Sequence, residues 1–177
     1  MKKSSLAALA LAIFIAFPTA SHARRGANTI TVDPVSLVFN WLGGVYQHNW
    51  TYDSAMTVRA GFYFWNYSGW SSTGIMGGLG YRNYFQGTAP NGPYWEVGGN
   101  MVVISAKYDG GRSNSSGSSV LLGPDASLGF AHSWRNGFYV DGHLGVNFMV
   151  GSLTVGNEKF PYGGFGYGLG VGLGVRF

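Results

Sequence analysis

Nine polar side chains stand at alternate positions among glycines and opposite apolar rows: Arg59, Arg82, Glu96, Asn100, Asp125, Asp141, His143, Asn147 and Arg176. Alternation of this kind sends the polar set to one face of a strand and the apolar set to the other. Three of the nine are carboxylates and three are guanidiniums, a balance that suits an internal ion-pair network. Arg82 and Glu96 are equidistant from Ala89, the centre of the breaker-rich segment Gln86–Gly92. A hairpin centred there sets the two charges directly opposite one another. A conducting pore is the competing use of such a lining, but Tyr63, Trp65, Tyr84 and Tyr94 share the same parity and fill space. Acyl hydrolysis needs a nucleophile, a base and an orienting group. His132-Ser133 fails this, because neighbours on a strand point to opposite faces. His143 with Asn147 and Ser127 could meet inside, and leaves an acyl hydrolase as the enzymatic alternative. His48, His132 and His143 have no ligand spacing and the chain has no cysteine, so neither a metal nor a cofactor is expected.

The elements that must position these groups are strands. From Phe165 to Phe177, apolar residues alternate strictly with glycine until Arg176, over more residues than the roughly 9–11 that take a tilted strand across a bilayer. Similar alternation runs through Met56–Trp65, Ile75–Tyr84, Tyr94–Lys107, Leu122–Ala131 and Phe138–Phe148. Val35–Leu42 alternates less cleanly after an entry turn at Asp33-Pro34, and Gln47–Asp53 reads as a polar break. Asn66–Ser72, Tyr108–Ser119 and Gly151–Tyr162 read as loops, the second of them long and mobile. Arg135-Asn136-Gly137 reads as a tight turn with Gly137 in a left-handed position. Pro124 predicts a bulge or a strand end.

These segments make seven strands. Bacterial single-chain barrels have even strand numbers, with short periplasmic turns and longer external loops. Counting back from a periplasmic Phe177 requires one more strand, and only Asn28–Val32 is available. The fold expected is all-β: an antiparallel up-and-down transmembrane β-barrel of eight strands, with Trp41, Trp65, Tyr81, Trp95, Trp134, Phe138 and Tyr167 at the bilayer interfaces.

The N-terminus and the composition point the same way. Lys2 and Lys3, the apolar run Leu6–Phe17 and Ser21-His22-Ala23 form a secretory signal, with cleavage expected after Ala23. Residues 1–23 are then leader and 24–177 one barrel domain. Without Lys2 and Lys3, nine basic residues face seven acidic ones, too even a balance to suggest nucleic acid. Charged residues are 10% of the chain and aromatics 16%, against about 25% charged in an ordinary soluble domain.

Taken together, the leader, the alternating strands, the aromatic strand ends and the terminal Phe177 resemble the small outer-membrane barrels of Gram-negative bacteria, of the OmpX and OmpA membrane-domain type. The resemblance implies that Tyr167, Leu173, Val175 and Phe177 form the signal read by the barrel assembly machinery. It implies a cell outer-membrane location among lipid and lipopolysaccharide, as a monomer. A surface ligand at the outer loops is the further partner expected, and the role is structural or one of surface interaction.

Overall fold

A computed structural model describes residues 27–67, 70–85, 89–110, 113–155 and 158–177. The expected leader and its cleavage site at Ala23 lie outside these residues. Eight antiparallel strands close into an up-and-down barrel: β1 (Asn28–Val32), β2 (Trp41–Asn49), β3 (Ser54–Tyr67), β4 (Trp70–Tyr84), β5 (Gly92–Gly110), β6 (Ser113–Ser133), β7 (Phe138–Val155) and β8 (Glu158–Arg176). Every strand pairs with its sequence neighbour, and β1 meets β8 through Thr29–Arg176 to Val32–Leu173. Asn28 and Phe177 exchange both backbone hydrogen bonds at this seam, at 2.8 and 2.9 Å. Both described ends of the chain and the connections at 50–53, 85–91 and 134–137 therefore share one end of the barrel, the turn end. The other, the hairpin end, carries the closures of β3–β4, β5–β6 and β7–β8.

Asn28–Val32 is the missing strand. Val35–Leu42 is not one strand: the chain leaves β1 at Asp33-Pro34 and forms a 3-10 turn at Ser36–Phe39, and only Trp41 and Leu42 are strand, as the start of β2. Asp33 Oδ1 accepts from the backbone N–H of Val35 and Ser36, at 2.9 and 3.1 Å, and the Ser36 hydroxyl donates to the carbonyl of Trp41 at 2.9 Å. These local bonds satisfy backbone groups that a ladder would otherwise hold. Asn40, with φ of 59°, then turns the chain into β2. Gln47 is accordingly a strand residue and not part of a break.

Loop-like composition also misplaced the strand ends. Tyr67 pairs with Trp70, Gly110 with Ser113 and Val155 with Glu158, so each expected loop is mostly ladder. Pro124 sits within β6, paired across from Gly99. Between β6 and β7 the ladder lapses at Gly123 and Pro124 and resumes at Asp125–Asn147 in the register it held at Leu122–Val150. The missing N–H of proline costs pairing there without inserting a residue, so no bulge forms.

The turns follow local chemistry. Gly137 has φ of 86° and its N–H reaches the carbonyl of Trp134 at 3.0 Å. At 50–53 the Thr51 hydroxyl donates to Asp53 at 2.6 Å, and with Ser54 holds this exposed carboxyl below the usual carboxylate range.

Candidate functional site

Inward residues of six strands build a polar lattice across the lumen. Its centre is Arg82 on β4. The Nε donates to Glu96 Oε2 at 2.7 Å, and Nη1 donates to Asp141 Oδ2 at 2.8 Å and to Gln47 Oε1 at 3.1 Å. Its guanidinium carbon stands 3.8 Å from the ring centre of Tyr94, a cation–π contact. Arg82 and Glu96 face each other in the β4–β5 register, as the turn symmetry requires. Asp141, from β7, comes from the far wall.

Below Arg82, toward the turn end, Tyr84, Tyr94 and Tyr139 form a floor that is 0–1% exposed. Tyr94 donates its hydroxyl to Asp141 at 2.9 Å, and the Gln47 amide bonds Tyr84 at 3.0 Å and Asn49 at 2.6 Å. Above Arg82, Arg59 grips Asp125 with both terminal nitrogens, at 2.5 and 2.9 Å, a bidentate fork between strands β3 and β6. Glu96 joins the layers, since its Oε1 accepts from Thr57 at 2.8 Å and lies 3.8 Å from Arg59 Nε. Asn100 donates to Asp125 at 3.1 Å, and His143 Nδ1 lies 3.0 Å from Asp141.

Seven of the nine residues singled out from the sequence meet in this lattice. Arg176 does not: its guanidinium bonds the Ser133 hydroxyl at 2.7 Å, near the turn end, away from the three acids. Asn147 faces the lumen next to Gly166, and its side chain makes no hydrogen bond among the described residues. Sequence reasoning missed Gln47 and Thr57 as lattice members. Thr57 was legible as an inward position of β3, but Gln47 was hidden by the misplaced second strand. Trp41 also differs from expectation. It lies inside, its indole against the space beside Gly43 and Gly61 and its ring 6.0 Å from Tyr63.

His132 is exposed and Ser133 buried, so the pair is split between faces. Of the residues named for assembly, Leu173 and Val175 pair with β1, Phe177 bonds Asn28, and Tyr167 is 93% exposed on β8.

Glycines make this packing possible. A Cβ at Gly170 would run into the His143 ring, and one at Gly129 into the ring of Tyr94. Gly142, by contrast, faces outward with nothing within 4 Å of a Cβ. We expect Gly129→Ala to lower the midpoint of unfolding in a detergent melt and Gly142→Ala to leave it within about 0.5 kcal/mol of wild type, the size of a bland surface change.

The strands thus define an eight-stranded antiparallel up-and-down barrel whose interior carries a hydrogen-bonded lattice of charged side chains. No family model matches the chain, and no curated protein matches it. A solved structure similar to it is that of Acinetobacter baumannii CarO2, at 15% identity over 86% of this chain and 97% of that one, with a TM-score of 0.45.

Proposed function

We propose that the chain is an integral outer-membrane barrel with a closed lumen and a structural or surface-interaction role, of the general kind of OmpX and the OmpA membrane domain. The observation that carries the closed lumen is the Arg82 lattice resting on its buried tyrosine floor. Two guanidiniums and three carboxylates are bonded to each other across the bore, so none of the five is left as a lone charge to line a channel.

The membrane reading rests on the exterior. Leu79, Leu128, Leu144 and Val146 are 57–64% exposed on the outer face, a surface with no use in water. Tyr81 with Trp95, and Trp134 with Phe138, pair near the turn end at 5.7 and 5.3 Å. Phe148 and Phe165 pair 4.7 Å apart toward the hairpin end. From Phe138 to Phe148 a strand rises about 33 Å, or about 25 Å once tilted at ~40°, the height of the apolar band of such barrels. Beyond that belt β5–β6 and β7–β8 continue as hairpins rich in Ser, Gly and Asn, placed to meet lipopolysaccharide or a surface ligand. The terminal Phe177 and the apolar row of β8 are suited to reading by the assembly machinery, and no catalysis is assigned.

Planar-bilayer recording tests the closed lumen. The refolded protein is expected to insert without stepwise currents; stable conductance steps abolished by unfolding the protein would overturn the reading.

A further inference from the structure

β1 ends at Val32, opposite Leu173, while β8 continues to Glu158. Among the described residues no strand pairs with β8 on that side beyond Leu173. One residue accounts for the stop. Asn28 and Phe177 exchange both backbone hydrogen bonds, so the antiparallel alternation turns Ile30 and Val32 toward β8 and makes Pro34 with Val171 the next such pair. Proline has no N–H to donate, and the ladder lapses. On its other side β1 reaches one step farther, since the Asp33 N–H donates to the carbonyl of Gly43 at 3.0 Å.

The β1–β2 register is symmetric about Val38: Val32 faces Gly44, and the bond from Asp33 to Gly43 keeps the same centre. Continued, it sets Val35 opposite Trp41 and Ser36 opposite Asn40, with Leu37, Val38 and Phe39 as a three-residue hairpin loop. No residue has to be added or removed. The β1–β8 register, continued likewise, sets Val35 beside Gly170 and Ser36 beside Leu169. Alternation across Val35–Leu42 is the pattern such a hairpin carries. In the structure the same backbone groups are bonded otherwise. Asp33 Oδ1 accepts from the N–H of Val35 and Ser36, and the N–H groups of Val38 and Asn40 donate to the carbonyls of Val35 and Leu37, both at 3.1 Å.

We propose that Asp33–Asn40 is a strap that exchanges between this corner and an extended β1–β2 hairpin lying along β8. The N–H groups of Val35 and Ser36 pass from Asp33 to the carbonyls of Trp41 and Leu169, so the two forms compete for the same donors. Hydrocarbon outside favours the hairpin, because it gives the N–H groups of Leu169 and Val171 carbonyl partners. The inner side has room, since a Cβ at Gly168 would meet nothing within 4 Å. Three features favour the corner: the missing N–H of Pro34, the Asp33 carboxylate, and Phe39, which falls in the left-handed third position of the loop, where a residue other than glycine is strained. The corner is therefore the main form. What the strap controls is a cavity of about 230 Å³ beside the lattice, whose wall includes Asp33 and the stretch Tyr167–Gly170 of β8. Zipping carries Val35 and Ser36 across that side. This inference rests on the membrane reading of the exterior proposed above.

The test is nuclear magnetic resonance of the refolded mature protein in phosphocholine micelles. In wild type, relaxation dispersion at Val35, Ser36, Leu169 and Val171 is expected on the μs–ms timescale, with a minor form of about 0.1–10%. D33A/P34T/F39G removes all three features that hold the corner. It is expected to show a cross-strand Hα contact between Val35 and Gly170, and exchange of the Leu169 and Val171 amides at least about tenfold slower than in wild type. Pro124→Thr, which restores an N–H at a lapse in another ladder, is the control and should change neither. Absence of dispersion at the four wild-type residues overturns the strap, as does a folded D33A/P34T/F39G that keeps the bond from Val38 to Val35. If that variant does not fold, Phe39→Gly alone should raise the minor population, and an unchanged population overturns the proposal. A contact from this edge of β8 to a second, differently labelled copy would also overturn it, by assigning the edge to another chain. Failure of the membrane reading would show separately, as a Leu144→Arg variant no less stable than wild type.

Discussion

Arg82→Met is expected to lower the free energy of unfolding by about 3–5 kcal/mol, the cost of stranding a buried charge whose partner has gone. Glu96 and Asp141 are 3 and 4% exposed, and Arg82 is the guanidinium they share. Methionine fills much of the volume but donates nothing, so the buried carboxylates of β5 and β7 are left without the guanidinium between them. The measurement is reversible urea unfolding in lipid vesicles, followed by tryptophan fluorescence. The attraction between these charges is itself a weak source of stability, because bringing them out of water cancels most of it. Replacing all three by neutral groups, as in R82M/E96Q/D141N, should therefore recover roughly half of the loss or more. If the triple variant is less stable than R82M alone, the cost lies in lost hydrogen bonds and not in stranded charge. On the same argument Glu96→Ala should lower the heat-modifiability midpoint more than Glu158→Ala at the hairpin end, and equal effects would remove Glu96 from the lattice's energetics.

Leu144→Arg should cost about 2–4 kcal/mol in the same assay, the penalty for a cation on the lipid face near mid-bilayer. Leu144 lies in register with Leu128 on one side and Leu169 on the other, and all three are more than 60% exposed. An arginine there has no inward route, because the strand fixes its direction. Ser118→Arg provides the contrast. Ser118 is exposed with the same outward parity as Leu128 on β6, but lies beyond the aromatic belt. It should change stability by less than about 0.5 kcal/mol. Equal costs at the two positions would place the bilayer at the wrong height on the barrel.

Much of this architecture is carried by period-two alternation, because a strand has only two faces and each face here meets a different surrounding. Arg59, Arg82, Glu96, Asp125 and Asp141 were assigned inward on that basis alone, and Leu144 outward. The alternation failed where both faces meet water or where side chains hold the backbone locally. Ser113–Ser119 pairs as strand despite its composition, since β5 supplies the hydrogen bonds. Val35–Leu42 alternates, yet Asp33 and Ser36 hold its first part as a turn and only Trp41 and Leu42 enter the ladder. Trp41 illustrates a second limit, because an aromatic at a strand end has the same composition whether it faces a bilayer or a lumen.

The chain by itself determined which charged side chains share the interior from β3 to β7, though not Gln47 or Trp41 of β2, and also the one contact that a symmetric hairpin dictates, Arg82 opposite Glu96. Register within a hairpin follows from the position of its turn, and a turn is a local feature. Tertiary structure alone decided that Arg59 meets Asp125, that Arg82 reaches Asp141, and that Arg176 stays apart with Ser133. Those partners lie on strands that are not neighbours, so their meeting depends on barrel closure and on strand stagger, neither of which a period of two encodes. The pairing of β8 has the same origin: thirteen alternating residues specify a long strand, but it is the short β1 that, among the described residues, pairs with it only from Leu173 to Arg176.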